Sequence, residues 1–101
     1  MAKHIEVDAY VVDVLMRDLT GQEKRPSAFL VYLALWRRTR GTGEKRVALS
    51  YQDLSEACGV SKSAVQAAVR VLKARNLITV TLANPTAVPK YRVERPWVTH
   101  G

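Results

Sequence analysis

The apolar positions of this 101-residue chain repeat first with a helical period and then with an alternating one. Val12, Leu15, Met16 and Leu19 recur at i, i+3, i+4 and i+7, the spacing of one face of an α-helix. They predict a first helix over roughly 9–20, with Asp8 as its N-cap and Gly21 as its stop. Val11 and Val14 widen that stripe beyond what one core face uses. Pro26 suits the first turn of a second helix, because the N–H it lacks has no partner there. Residues 28–36 are apolar nearly all round. This helix, reaching about Thr39, is therefore buried on several sides, either as a central core helix or as one shared with another subunit. Residues 47–49 alternate weakly as a short strand. Ser50 and Asp53 have the spacing of a capping box, in which a hydroxyl and an acid satisfy the free N–H groups of a helix start. A third helix follows at roughly 51–57. Beyond Gly59, Ser61 caps a fourth helix, which carries Val65, Val69 and Leu72 at i, i+4 and i+7 and reaches Arg75. Asn76, which tolerates positive φ, ends it. Residues 77–82 are rich in β-branched side chains and predict a strand. Asn84, Pro85 and Pro89 mark a loop. Residues 90–94 predict an antiparallel return strand with Tyr91 and Val93 on one face. Arg95, Pro96 and Trp97 close the fold, and Thr99, His100 and Gly101 form a loose end.

Composition narrows the class. Apolar residues make up 48% and charged residues 25%, proportions of a folded chain rather than a disordered one. The length fits a single domain over 1–101 with a modest core and no deep substrate cavity. Cys58 is the only cysteine, so no internal disulfide forms, which fits a reducing compartment. The longest uncharged apolar run, 28–36, is far short of the ~20 residues that span a membrane. Residues 1–7 lack the basic start and apolar core of a secretory signal, and a cytoplasmic protein is expected. The net charge of +7 is unevenly placed. Residues 1–23 hold two basic and five acidic side chains, net −3, whereas residues 24–101 hold fourteen basic and four acidic ones, net +10. Most of the chain therefore attracts a polyanion while its start repels one.

The stretch from Gln52 to Val65 has the residues that two helices joined by a tight turn require. Leu54 and Cys58 face the core from the first helix, and small Ser55 lets the second cross closely. Gly59 takes the positive φ of the turn, Val60 plugs it into the core, and Ser61 restarts the helix. Val65 and Ala68 seal the crossing. Lys62, Ser63, Gln66, Ala67 and Arg70 are left pointing outward.

Residues 47–94 resemble the winged helix-turn-helix of bacterial regulators of the GntR and MarR type, and equally the winged helix domains of plasmid and phage replication initiators. The likeness rests on Ser50-Tyr51-Gln52-Asp53-Leu54, on Cys58-Gly59-Val60-Ser61-Lys62-Ser63 with Val65, and on residues 71–78. The chain departs from that pattern at Ser55, where alanine is common, and at Asn76, where glycine is frequent. Its wing has no basic residue before Lys90. The resemblance implies a mostly α fold with a small β-hairpin (α+β), a winged helix-turn-helix preceded by an extra N-terminal helix. It also implies binding to double-stranded DNA through the helix that begins at Ser61.

Ser61, Lys62 and Ser63 would approach phosphates and base edges at the helix N-terminus. Gln66 offers a donor–acceptor pair suited to adenine, and Arg70 suits guanine or a phosphate. Ala67 lies among them. Arg37, Arg38, Arg40, Lys45 and Arg46 form a second basic cluster; either it flanks that helix and neutralises phosphates, as Arg38 and Arg46 would, or it is a solvated helix end. Lys90 and Arg92 add charge on the hairpin. The expected role is a small transcriptional regulator or repressor acting by operator occupancy. The alternatives are a replication initiator or partition factor and, in another class, a protein–protein interaction module. The surplus apolar surface of the first helix predicts a homodimer reading a palindrome.

No constellation predicts catalysis or a cofactor. His4 and His100 stand near opposite ends, Cys58 falls at a core position, and one cysteine with two distant histidines does not make a four-ligand zinc site. Residues 41–45 lack the spacing of a phosphate-binding loop. Trp36, Trp97 and Tyr91 are expected in packing. No small-molecule ligand and no membrane partner is expected.

Overall fold

A computed structural model describes residues 3–98. The loose end expected at Thr99, His100 and Gly101 lies outside the described residues. Helix α1 (Pro26–Thr39) runs through the middle of the molecule, with Pro26 in its first turn. Ala28, Phe29, Val31, Tyr32, Leu35, Trp36 and Thr39 are buried around it. It packs against the N-terminal helix, α2 (Tyr51–Cys58), α3 (Lys62–Ala74) and β3 (Lys90–Val93), which is why so little of its circumference is polar. Of the two sequence alternatives, the central core helix is the one found. The Thr39 hydroxyl donates to the Leu35 carbonyl one turn back at 2.7 Å, but the helix's buried aromatic polar atoms are satisfied at a distance. The Tyr32 hydroxyl donates to the Glu94 carbonyl at 2.9 Å, and Trp36 Nε1 donates to the Glu6 carbonyl at 2.8 Å.

Strands β1 (Val47–Ala48), β2 (Ile78–Thr81) and β3 form an antiparallel sheet in the order β1-β3-β2. Val80 and Val47 both lie opposite Tyr91, and Thr81 and Ala48 both lie opposite Lys90. The predicted hairpin thus gains a third strand on its far edge. Alternation along β3 buries Tyr91 and Val93 and exposes Lys90 and Arg92, so one sheet face joins the core and the other is polar.

The N-terminal helix departs most from expectation. Residues 9–22 are helical, but Val11–Leu15 and Asp18–Gln22 are π-helical, closed by i→i+5 rather than i→i+4 hydrogen bonds. The buried residues are Val11, Leu15 and Leu19, four apart, whereas Val12 and Met16 are 51% and 39% exposed. The wider turn advances fewer degrees per residue than an α-helix. Positions four apart therefore stay on the core, and the residues that follow them rotate to solvent. Gly21 does not stop the helix, which runs on to Gln22. The chain turns instead at Lys24, with φ 52°, and the Arg25 N–H donates to the Leu19 carbonyl at 2.8 Å.

The Asp8 carboxylate does not cap the helix start. Its Oδ2 accepts from the Arg95 guanidinium and from Trp97 Nε1, each at 3.0 Å, and the Trp97 ring stacks on Tyr10 with centroids 4.6 Å apart. Burial pushes the Asp8 carboxyl up, but the bonds from Trp97 and Arg95 outweigh it and hold the pKa below the ordinary aspartate value. The acidic segment is also tied to the end of α3, where Arg75 pairs with Asp18 at 3.6 Å and with Glu23 at 3.2 Å.

Candidate nucleic-acid interface

Two short-range devices set the angle between α2 and α3. At the start of α2, Ser50 Oγ accepts from the Asp53 N–H at 3.0 Å, and Asp53 Oδ2 accepts from the Ser50 N–H at 2.9 Å, a reciprocal capping box. The hydrogen bonds from Ser50 draw the Asp53 carboxyl below its ordinary pKa. At the end of α2, Gly59 adopts φ 70° and ψ 30°, the left-handed conformation that costs glycine nothing. Leu54 is fully buried, while Cys58 and Val60 are half-buried against the core. Ser55 does more than make room. Its hydroxyl donates to the Val60 carbonyl at 2.5 Å, closing the turn from the inside. Sequence spacing alone shows that Ser55 is small; it does not show this bond.

Helix α3 then starts at a fixed point. Ser61 Oγ accepts from the Ala64 N–H at 3.1 Å and lies 3.1 Å from Ser63 Oγ. Val65, Ala68, Val69 and Leu72 are buried, and α1 and α2 cover that side. Ser61, Lys62, Ser63, Gln66 and Arg70 are exposed. Ala67, predicted to point outward, is half-buried. Lys73 extends the exposed face, seven residues beyond Gln66, and the same helical spacing that selects Gln66 and Arg70 picks it out. Among the described residues, no carboxylate forms an ion pair with Lys62, Arg70 or Lys73. At the end of this helix, Asp18 and Glu23 are engaged by Arg75. The N-terminal part of α3 thus presents free amide groups, two hydroxyls, an amide side chain and two unpaired cations. That is an array able to meet phosphates and base edges.

The second basic cluster is divided. Arg38 is exposed and lines a shallow depression with Leu49, Asp53, Glu56 and Ala57, beside α2. Arg40 turns the other way, with its guanidinium 5.3 Å from the Trp36 ring centre. Arg40 and Lys45 border a depression shared with Arg92. Arg37 is half-buried, and Arg46 is exposed just before β1. On the outer sheet face, Lys90 is exposed, whereas Arg92 pairs with Glu94 at 3.2 Å, and Glu94 also accepts from the Thr79 hydroxyl at 3.1 Å. The sequence leaves open whether this cluster flanks α3 or is a solvated helix end. The fold sends its members to the α2 side and to the β3 side of α1.

Cys58 is half-buried, its Sγ faces the Leu30 carbonyl at 3.6 Å, and burial pushes its thiol pKa up, away from a reactive thiolate. Among the described residues, His4 is exposed and no three His, Cys, Asp or Glu side chains gather as a metal site. No described helix is long and apolar enough to cross a membrane. No curated protein and no solved structure matches the chain. A family model described as a helix-turn-helix domain matches residues 22–78, from the last residue of the N-terminal helix to the first residue of β2. That match covers more than half of the chain and contains both helices and the Gly59 turn, and the chain therefore belongs to the helix-turn-helix domain family.

Proposed function

We propose that this protein binds double-stranded DNA sequence-specifically, with the N-terminal part of α3 in the major groove, and that it acts as a small transcriptional regulator by occupying its operator. The observation that carries this is the outward face of α3. Lys62, Gln66 and Arg70 are exposed on the second helix of a helix-turn-helix, and the two cations have no acidic partner among the described residues. Ser61, Lys62 and Ser63 contact phosphates and base edges, Gln66 reads a base, and Arg70 meets guanine or a phosphate. Arg38, Arg46 and Lys90 add phosphate contacts, while Arg92, already held by Glu94, contributes less. Half-buried Ala67, with only a methyl group, lets the helix approach closely and makes no hydrogen bond to a base. The protein works by binding rather than by catalysis, as a homodimer on a palindromic site, in the cytoplasm.

Selection of bound sequences from a random duplex pool, followed by titration of the best site at several salt concentrations, tests this. Recovery of a palindrome is expected, with half-sites about one helical turn apart. Affinity falls with salt by roughly 0.9 log unit per log unit for each phosphate contacted, and Lys62→Ala with Arg70→Ala lowers that slope. Direct repeats instead of a palindrome point to a replication or partition role. Affinity and salt slope unchanged in the double variant contradict the placement of α3.

A further inference from the structure

The N-terminal helix carries a surface that the fold leaves open. Val12 and Met16 stand on it, 51% and 39% exposed. Asp13 and Arg17, the residues immediately after them, are exposed too. Every other acid of the helix and its flanks that forms an ion pair does so within the chain: Asp8 with Arg95, Asp18 and Glu23 with Arg75. Among the described residues, Asp13 and Arg17 pair with nothing. They do not even pair with each other, although they stand four apart, the spacing at which opposite charges stabilise an α-helix. The open face therefore reads apolar-acid then apolar-base, two apolar residues with one unclaimed charge of each sign.

Such a face is complementary to itself when reversed. We propose that two copies of the chain associate antiparallel through this helix, about a two-fold axis passing close to residues 14–15. In that arrangement Val12 of each copy meets Met16 of the other, and Asp13 of each meets Arg17 of the other, so every contact occurs twice. A parallel pairing sets Asp13 against Asp13 and Arg17 against Arg17, and the charges oppose it. The π-helical winding is what makes the face available, because it keeps Val11, Leu15 and Leu19 on the core and turns Val12 and Met16 outward. One helix pair covers less than the ~800 Å² per partner of a standard stable interface. The dimer is therefore weak in free solution and strengthens when a duplex holds two copies on adjacent half-sites. This rests on the dimeric reading given above, but not on which α3 residues touch bases.

Sedimentation equilibrium of the full chain from the micromolar to the millimolar range tests the interface, with helical content and Tm measured for each variant. Wild type is expected to associate, and Met16→Glu to stay monomeric while keeping its Tm. Asp13→Arg and Arg17→Asp each weaken association about tenfold, since two exposed pairs change from attraction to repulsion. The double variant Asp13→Arg with Arg17→Asp restores it, because the charges are exchanged and remain opposed. On duplexes, Met16→Glu loses affinity for a two-half-site operator but keeps that of wild type for a single half-site, which separates failure of this interface from failure of DNA binding. A wild type that stays monomeric at every concentration and on the two-site duplex overturns the proposal. So does a Met16→Glu protein that still dimerises, or a double variant as weak as either single one.

Discussion

The turn at Gly59 allows a test in which one substitution, made at two sites, gives opposite signs. A Cβ built at Gly59 meets nothing within 4 Å, and neither does one at Gly21, so steric overlap is absent in both cases. Only the backbone differs. Gly59 sits at φ 70°, whereas Gly21 lies within the helical stretch Asp18–Gln22 and is not among the glycines with positive φ. An L-residue in the left-handed conformation costs about 1–2 kcal/mol. Glycine in a helix is worse than alanine by roughly 0.5–1 kcal/mol, because it loses more chain entropy on folding. Gly59→Ala should therefore lower the melting temperature and Gly21→Ala should raise it, at roughly 4–8 °C per kcal/mol for a domain of this size. Gly59→Asn falls between wild type and Gly59→Ala, since asparagine tolerates this region better. Thermal unfolding followed by circular dichroism, at one protein concentration so that association does not contribute, reads both shifts. Shifts of the same sign, or an unchanged melting temperature in Gly59→Ala, refute the reasoning.

Other substitutions probe separate parts of the account. Ser61→Ala removes the α3 cap and should cost about 1 kcal/mol, whereas Ser61→Asp keeps the cap and the stability. Ser61→Asp should nevertheless lower duplex affinity, because it sets a negative charge where a phosphate is to bind; unchanged affinity in an electrophoretic or fluorescence titration counts against that contact. Asp8 has a folded pKa below its ordinary value of 3.8, so its contribution to stability is complete above that value and disappears as the pH falls below it. In thermal melts across acid pH, the difference between wild type and Asp8→Asn should shrink through that window; a constant difference argues against the Arg95 and Trp97 contacts. Tyr91 is fully buried and its hydroxyl has no hydrogen-bond partner among the described residues. Tyr91→Phe should leave stability unchanged or raise it by up to about 1 kcal/mol, and a loss of that size in chemical denaturation contradicts the unpaired hydroxyl.

What was legible in the sequence follows from how local the cause is. Pro26, the unbroken apolar run and Thr39 bound α1 where the spacing places it, because helix starts and buried faces are written within a few residues. Ser50, Gly59, Ser61 and Asn76, at φ 58°, are caps and turns of equally short range. The first helix resists such reading. A 3.6-residue period puts Val12 and Met16 on the core, and nothing in the spacing announces the π-helical winding that turns them out. Asp8 has the chemistry of a cap, but Arg95 and Trp97, more than eighty residues away, claim its carboxylate. The basic residues after α1 are neighbours in sequence, yet they project from a helix end and a loop, and their separation depends on where α2 and β3 pack. The outward face of α3 was legible almost completely, since burial of Val65, Val69 and Leu72 fixes what remains.

Amide chemical shifts of the isotopically labelled protein, recorded while a duplex carrying the selected site is added, test the placement of DNA most directly. The largest changes are expected from Ser61 through Arg70, with smaller ones at Arg38, Arg46 and Lys90 and little change along the N-terminal helix apart from residues 12–17. Changes centred on the outer sheet face or around Asp18 and Glu23, with the amides of α3 undisturbed, contradict it.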